Sequence, residues 1–315
     1  MKRYITFMIA SQALSQVVRP GGTLGRSEPS LDDRSLEIYR EAMRAPNATR
    51  SITLKPWEWA RGNDPRLARQ EWTWRVNVTD ISLPHLASRF PSISNPHFVS
   101  TTYDFTWLGG GNISRTLGGS TSPFCITTVD TVFPPNITNL YNESNTHTSD
   151  CEAVLGSDCR SKLDTDGNNL RAGRCGSPRT IWSKIPECSA TFGYALQPEF
   201  DTYSPFGLST FNINGQPGNN TRNDTESFMS GDGFFEMNTG IINGSEAAAA
   251  YHNATHNLQL FMFNTWIDIV NGQISRPNVL CMRVNATTVS SVAANPEYTI
   301  WGFGIVIFTI LSLVF

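Results

Sequence analysis

The sequence predicts a β-rich α+β fold: an antiparallel sheet or sandwich with two or three helices, stapled by disulfides. Three observations predict it. Long segments alternate apolar and polar residues with period two. Six cysteines are present in 315 residues. No strand–helix–strand regularity and no internal repeat appears. The chain is long enough for one large domain or two modest ones.

Residues 14–30 are rich in Gly, Pro and Ser and read as flexible. Ser30 then opens a helix pattern over 31–45, with Asp33 three residues on as in a capping box. Leu36, Tyr39 and Met43 share one face of it, and Pro46 stops it. These residues make up an N-terminal region, 14–56, preceding a β-rich region, 57–290.

In residues 71–79, Trp72, Trp74, Val76 and Val78 lie on one face, and Thr73, Arg75 and Asn77 on the other. Residues 97–107 alternate again, with Val99, Tyr103, Phe105 and Trp107 together. Cys125, Val129 and Phe133 mark a third strand. Residues 258–267 and 278–284 predict two more, paired antiparallel through a loop containing Asn271 and Gly272. Gly109, Gly110 and Gly111 read as a hairpin loop. Residues 212–233 and 136–150 read as exposed loops.

Two further helices are expected, over 149–163 and 245–257. In the first, Cys151, Leu155 and Cys159 line one face at i, i+4, i+8. Eight helical residues separate the two cysteines by about 12 Å, beyond the ~7 Å reach of a disulfide. If the helix is continuous, each must bond elsewhere, to two of Cys125, Cys175, Cys188 and Cys281. An even cysteine count with no CxxC favours disulfides over zinc or thioredoxin-type chemistry.

The cellular address is written at both ends. Residues 1–13 have a basic start, a short apolar stretch and a small-residue site at Ser11 and Ala13, the pattern of a secretory signal. Residues 300–315 are uncharged and apolar, preceded by a polar spacer over 291–299. Four readings stay open for that tail: a GPI-attachment signal, a transmembrane helix without its cytoplasmic part, a tail anchor, and a buried terminal helix. Ten Asn-x-Ser/Thr sequons support passage through the secretory pathway: Asn47, Asn77, Asn112, Asn136, Asn142, Asn219, Asn223, Asn243, Asn253 and Asn285. This is about twice the number that chance gives. Asn77 falls on the polar face of its strand, where a glycan is expected to fit.

Only 16% of residues are charged and the net charge is −3. A nucleic-acid binder would carry a basic stripe, so that class is excluded. Asp164, Asp166 and Asn168 resemble the start of a calcium loop, but the glycine falls at position four and position twelve is Cys175. A turn is the better reading. His252 and His256 have a metal-ligand spacing without the glutamate of HExxH, and read as surface histidines. Trp57, Trp59, Trp72, Trp74 and Trp107 could form a sugar platform, though Trp72 and Trp74 fit a core better. No nucleophile elbow, phosphate loop or dinucleotide fingerprint occurs, and no catalytic residue, cofactor or metal is assigned.

The run EWTWRVNVTD at 71–80, the two-cysteine helix at 150–163 and the strands LQLFMFN and NVLCMRVN resemble a group of uncharacterised fungal surface glycoproteins. The resemblance spans residues 70–290. It implies an extracellular, glycosylated, cysteine-bearing domain ahead of a membrane segment, and it favours the transmembrane reading of the tail. It carries no activity with it.

The expectation is thus a membrane-anchored surface glycoprotein with a structural or recognition role, its partners being cell-wall glycans or surface proteins. The alternative is a surface-anchored glycoside hydrolase using two carboxyls about 5–10 Å apart beside tryptophan.

Overall fold

In the computed structural model, the described residues are 21–24, 31–56, 69–111, 124–130, 132–165, 170–171, 174–175, 182–193, 199–203, 229–231, 233–269 and 272–289. The signal-like segment, the spacer and the apolar tail lie outside them. So do Asn112, Asn219, Asn223, Trp57, Trp59 and most of the calcium-like loop. Among the described residues, no helix is long and apolar enough to cross a membrane.

Two antiparallel sheets form the scaffold. Strand β1 is Gly21–Leu24, and helix α1 (Asp33–Arg44) precedes β2 (Ala48–Leu54). Strands β3 (Trp72–Ser82), β4 (His97–Trp107) and β5 (Phe124–Asp130) follow. Then come α2 (Pro135–Thr138) and α3 (Glu152–Thr165), the short β6 (Leu170–Arg171) and β7 (Arg174–Cys175), and α4 (Ser189–Phe192). The last elements are β8 (Glu199–Tyr203), β9 (Gly233–Ile242), α5 (Gly244–His256), β10 (Gln259–Ile269) and β11 (Gly272–Met282). Sheet one runs β1-β9-β4-β3-β2 and sheet two runs β11-β10-β5-β8. The predicted hairpin is present, with Gln259 opposite Met282 and Ile269 opposite Gly272.

The alternating strands bury one face each, as their pattern requires. Trp72, Trp74, Val76, Tyr103 and Phe105 from sheet one meet Ile126, Phe261, Phe263 and Leu280 from sheet two in one core. Trp74 stands edge-on to Phe261 at 4.3 Å between centroids, and Phe105 stacks on Phe234 at 5.0 Å. These are favourable aromatic geometries. Tryptophan thus fills the interior, and Trp72 and Trp74 have no exposed surface with which to stack a sugar.

A second core lies on the other side of sheet two, where Leu260, Met262, Val279 and Cys281 meet Val154, Leu155, Trp182 and Phe192. A third sits under α1, where Tyr39 packs on Phe98, Ile81 and Ile241. The order of layers is α1, sheet one, sheet two, then α3 and α4.

Several expectations change. Gly21–Leu24 lies within the stretch read as flexible, yet pairs with β9. Residues 48–54, placed in the N-terminal region, are a strand of sheet one. The cap of α1 is Asp32, whose carboxylate accepts from the Ser35 amide at 2.9 Å; Ser30 lies outside the described residues. Residues 136–150 are not a free loop, because Ile137 and Tyr141 are buried in the second core.

The helix expected over 149–163 is broken at Gly156, where φ is 73° and ψ is 161°. A side chain is strained at that positive φ, so glycine permits the break. Gly109, Gly110 and Gly111 all take positive φ in the turn after β4, but the loop does not close a hairpin: β4 pairs with β3 and β9, whereas β5 pairs with β10 and β8 in the other sheet.

Cys151 bonds Cys281 of β11, and Cys159 bonds Cys188 in the 3-10 turn Pro186–Cys188. Both predicted outside partners are therefore found. Cys125 lies in β5 and Cys175 in β7; their side chains are outside the description.

Candidate functional site

Buried polar groups are the places where a structural core least needs polarity. Three sites stand out.

The first crosses the outer face of sheet one. Arg75 Nε donates to Asp104 Oδ1 at 2.7 Å, and Asn77 Nδ2 donates to Asp104 Oδ2 at 3.0 Å. Thr49 Oγ1 donates to Asn77 Oδ1 at 2.8 Å. Asn77 is only 7% exposed. This corrects the expectation of a glycan at Asn77: its amide nitrogen, the atom a glycan would occupy, is buried and donates to Asp104. Asn77→Gln should therefore lower stability by about 1–2 kcal/mol in urea unfolding. The exposed Asn253→Gln should stay within about 0.5 kcal/mol of the parent.

Glu236 extends the same face, opposite Thr102 in register. It is buried, accepts from Ser100 Oγ at 2.9 Å, and is hydrogen-bonded by Tyr39 of α1. Burial strips water from its carboxylate and pushes its pKa up from 4.5 to about 7, against the two hydrogen bonds. The folded state then holds the proton more tightly than the unfolded chain between pH 4.5 and 7. Stability must fall as pH rises through that window, by about 3 kcal/mol at most. Glu236→Gln should abolish that fall and be the more stable protein at pH 8; equal slopes for both proteins between pH 5 and 8 would refute this.

Glu236 and Asp104 are near neighbours on this face, two carboxyls in different environments. The tryptophans that the hydrolase reading needs beside them point the other way, into the core between the sheets. A small cavity does lie between the sheets, lined by Tyr103, Phe234, Gln259 and Phe261. It has room for about one water molecule, and among the described residues no carboxyl lines it.

The second site joins α1 to the 3-10 turn Pro84–Leu86. Ser35 Oγ lies 2.8 Å from His85 Nε2, and Asp32 Oδ1 lies 3.7 Å from that same nitrogen. The residue types are those of a serine hydrolase, and sequence reading missed them because His85 is fifty positions from Ser35. The geometry is not catalytic. A relay needs the carboxylate on the opposite ring nitrogen and an accessible serine, whereas Ser35 has no exposed surface. The Ser35 amide holds the Asp32 carboxyl below its ordinary value. The group clamps the start of α1.

The third site lies beyond β11. Arg283 is wholly buried, and its Nη2 donates to the Ala286 carbonyl at 2.9 Å. Arg50 Nε donates to the Val284 carbonyl at 3.0 Å. Burial pulls the Arg283 pKa down to about 10, so it remains charged at neutral pH. Nothing in composition or spacing marked this arginine.

His252 and His256 stack at 4.1 Å, but His256 is buried rather than superficial. Its Nδ1 meets the His252 carbonyl at 2.7 Å and its Nε2 meets Thr287 Oγ1 at 3.1 Å. Neither nitrogen is left for a metal. Burial lowers its pKa. Among the described residues no group of three metal-type ligands occurs.

The remaining sequons divide by environment. Asn47, Asn136, Asn142 and Asn253 are exposed. Asn243 and Asn285 are half-buried, each with its Oδ1 accepting a backbone amide, from Ser94 and Thr287 respectively.

Compared with protein-family models, with curated proteins and with solved structures, the chain matches none.

Proposed function

We propose that the protein is a secretory-pathway glycoprotein of the cell surface, tethered through its apolar C-terminal segment. Its disulfide-stapled sandwich has a structural or recognition role towards cell-wall glycans or surface proteins. The observation that supports this reading most is the pair of buried disulfides, Cys151–Cys281 and Cys159–Cys188. Such bonds form and persist in oxidising compartments and are rare in reducing ones. Four sequons on exposed backbone, at Asn47, Asn136, Asn142 and Asn253, are compatible with bulky glycans.

The test is expression of the whole chain in a eukaryotic secretory host. A mobility shift on deglycosylation is expected, with no accessible thiol at the four bonded cysteines before reduction. Release from intact cells by a phosphatidylinositol-specific lipase would assign a GPI anchor; retention would assign a spanning helix. Absence of any glycan, with freely reactive thiols, would refute the reading.

A further inference from the structure

We infer that Arg283 and Arg50 form a binding site for a single small oxyanion, of the phosphate, sulfate or carboxylate class. The site lies where the chain leaves β11, between the edge strand β2 and the segment that carries Tyr141.

Charge balance carries the inference. Arg283 has no exposed surface, yet its Nε and Nη1 hydrogens meet no acceptor among the described residues. A buried guanidinium without a counter-charge is strongly unfavourable, and its unmet donors add to the cost. The residues around it do not supply the missing charge. Arg50, anchored one residue further along the chain at Val284, adds a second permanent positive charge. Neither arginine has a carboxylate within ion-pair distance among the described residues. Glu143 attracts Arg283 only from longer range. Tyr141 also faces the guanidinium electrostatically, but its hydroxyl donates to the Thr148 carbonyl at 3.0 Å. His256, on α5, feels the repulsion of Arg283 as well. Two arginines held by carbonyls two residues apart, with one distant carboxylate, leave net positive charge in a largely buried place.

Arginine suits this task because its guanidinium stays protonated and is weakly hydrated. Arg50 is half-buried. An oxyanion would offer lone pairs to the unmet donors of Arg283, and charge-assisted bonds of this kind are about twice as strong as neutral ones.

The experiment uses the whole secreted chain and reads its thermal midpoint at pH 7 and constant ionic strength. Sodium phosphate, sulfate or acetate replaces chloride. A saturable rise is expected, about 5 °C once the anion exceeds its dissociation constant a hundredfold. Comparing acetate with phosphate and sulfate tells a carboxylate ligand from a tetrahedral one. Arg283→Met should lose the rise while keeping, or raising, the midpoint in chloride, since it removes an uncompensated charge. Arg50→Gln, at an edge strand and half-exposed, should fold and lose most of the rise even if Arg283→Met does not fold. Equal midpoints in all four salts would overturn the proposal, as would a full phosphate response in Arg50→Gln. A fall in the midpoint of Glu143→Gln in chloride, with no anion response in the parent, would overturn it in favour of the chain's own carboxylate.

Discussion

Replacing Cys151 and Cys281 together by alanine should cost about 5 kcal/mol of stability. The bond closes a loop of sequence separation 130, and the entropy lost by the unfolded chain grows with loop length. The same reasoning gives about 3.5 kcal/mol for Cys159 and Cys188, separated by 29. The first bond also joins two layers. Cys281 lies on β11, its amide donates to the Ser149 carbonyl at 2.8 Å, and Asp150 bridges to Leu280. Losing it should loosen the start of α3 from sheet two and expose the second core. Equilibrium unfolding in guanidinium, with the two double variants side by side, checks the order. A smaller loss for the 151–281 pair than for the 159–188 pair would refute the loop-length argument.

Trp74→Ala should cost about 3–5 kcal/mol, the range for emptying a large buried aromatic site. Trp74 is fully buried in β3, opposite Phe105 in register, and its ring meets Phe261 of the other sheet. The cavity would open between two sheets whose strands are fixed by their ladders, so little collapse can offset it. Leu108→Ala is the control, because Leu108 is 92% exposed in the turn after β4. It should change stability by less than about 0.5 kcal/mol. The denaturation midpoint should move for Trp74→Ala with an unchanged slope. Equal midpoints for the two variants would place the core elsewhere.

Much of the scaffold could be read along the chain. The strands at 72–82 and 97–107 show period two because each buries one face only. The β10–β11 hairpin and α5 were legible for similar local reasons. The break at Gly156 was not, since glycine inside a helix pattern is compatible with either a continuous or a broken helix. Strands β1, β2 and β8 were missed because each is short and sits at a sheet edge, where partners supply what the local pattern lacks, and β9 was missed because its buried residues come in runs and do not alternate.

The buried polar sites were the least legible. Alternation placed Asn77 correctly on the face away from Trp74, but alternation cannot say what lies above a face. In the folded chain Met43 of α1 reaches Thr102, the cross-strand neighbour of Asn77, and Asp104 completes the network. Glu236, Arg283 and the Ser35–His85 clamp each depend on residues from distant segments. Period, capping and spacing act within about ten residues, so the sequence by itself determined strands β3, β4, β10 and β11 and their inward faces. Which faces are covered, and so which polar groups lose their water, is decided by contacts between elements up to 234 positions apart, as for Arg50 and Val284. Desolvation belongs to the assembled layers, and only the tertiary structure could assign it.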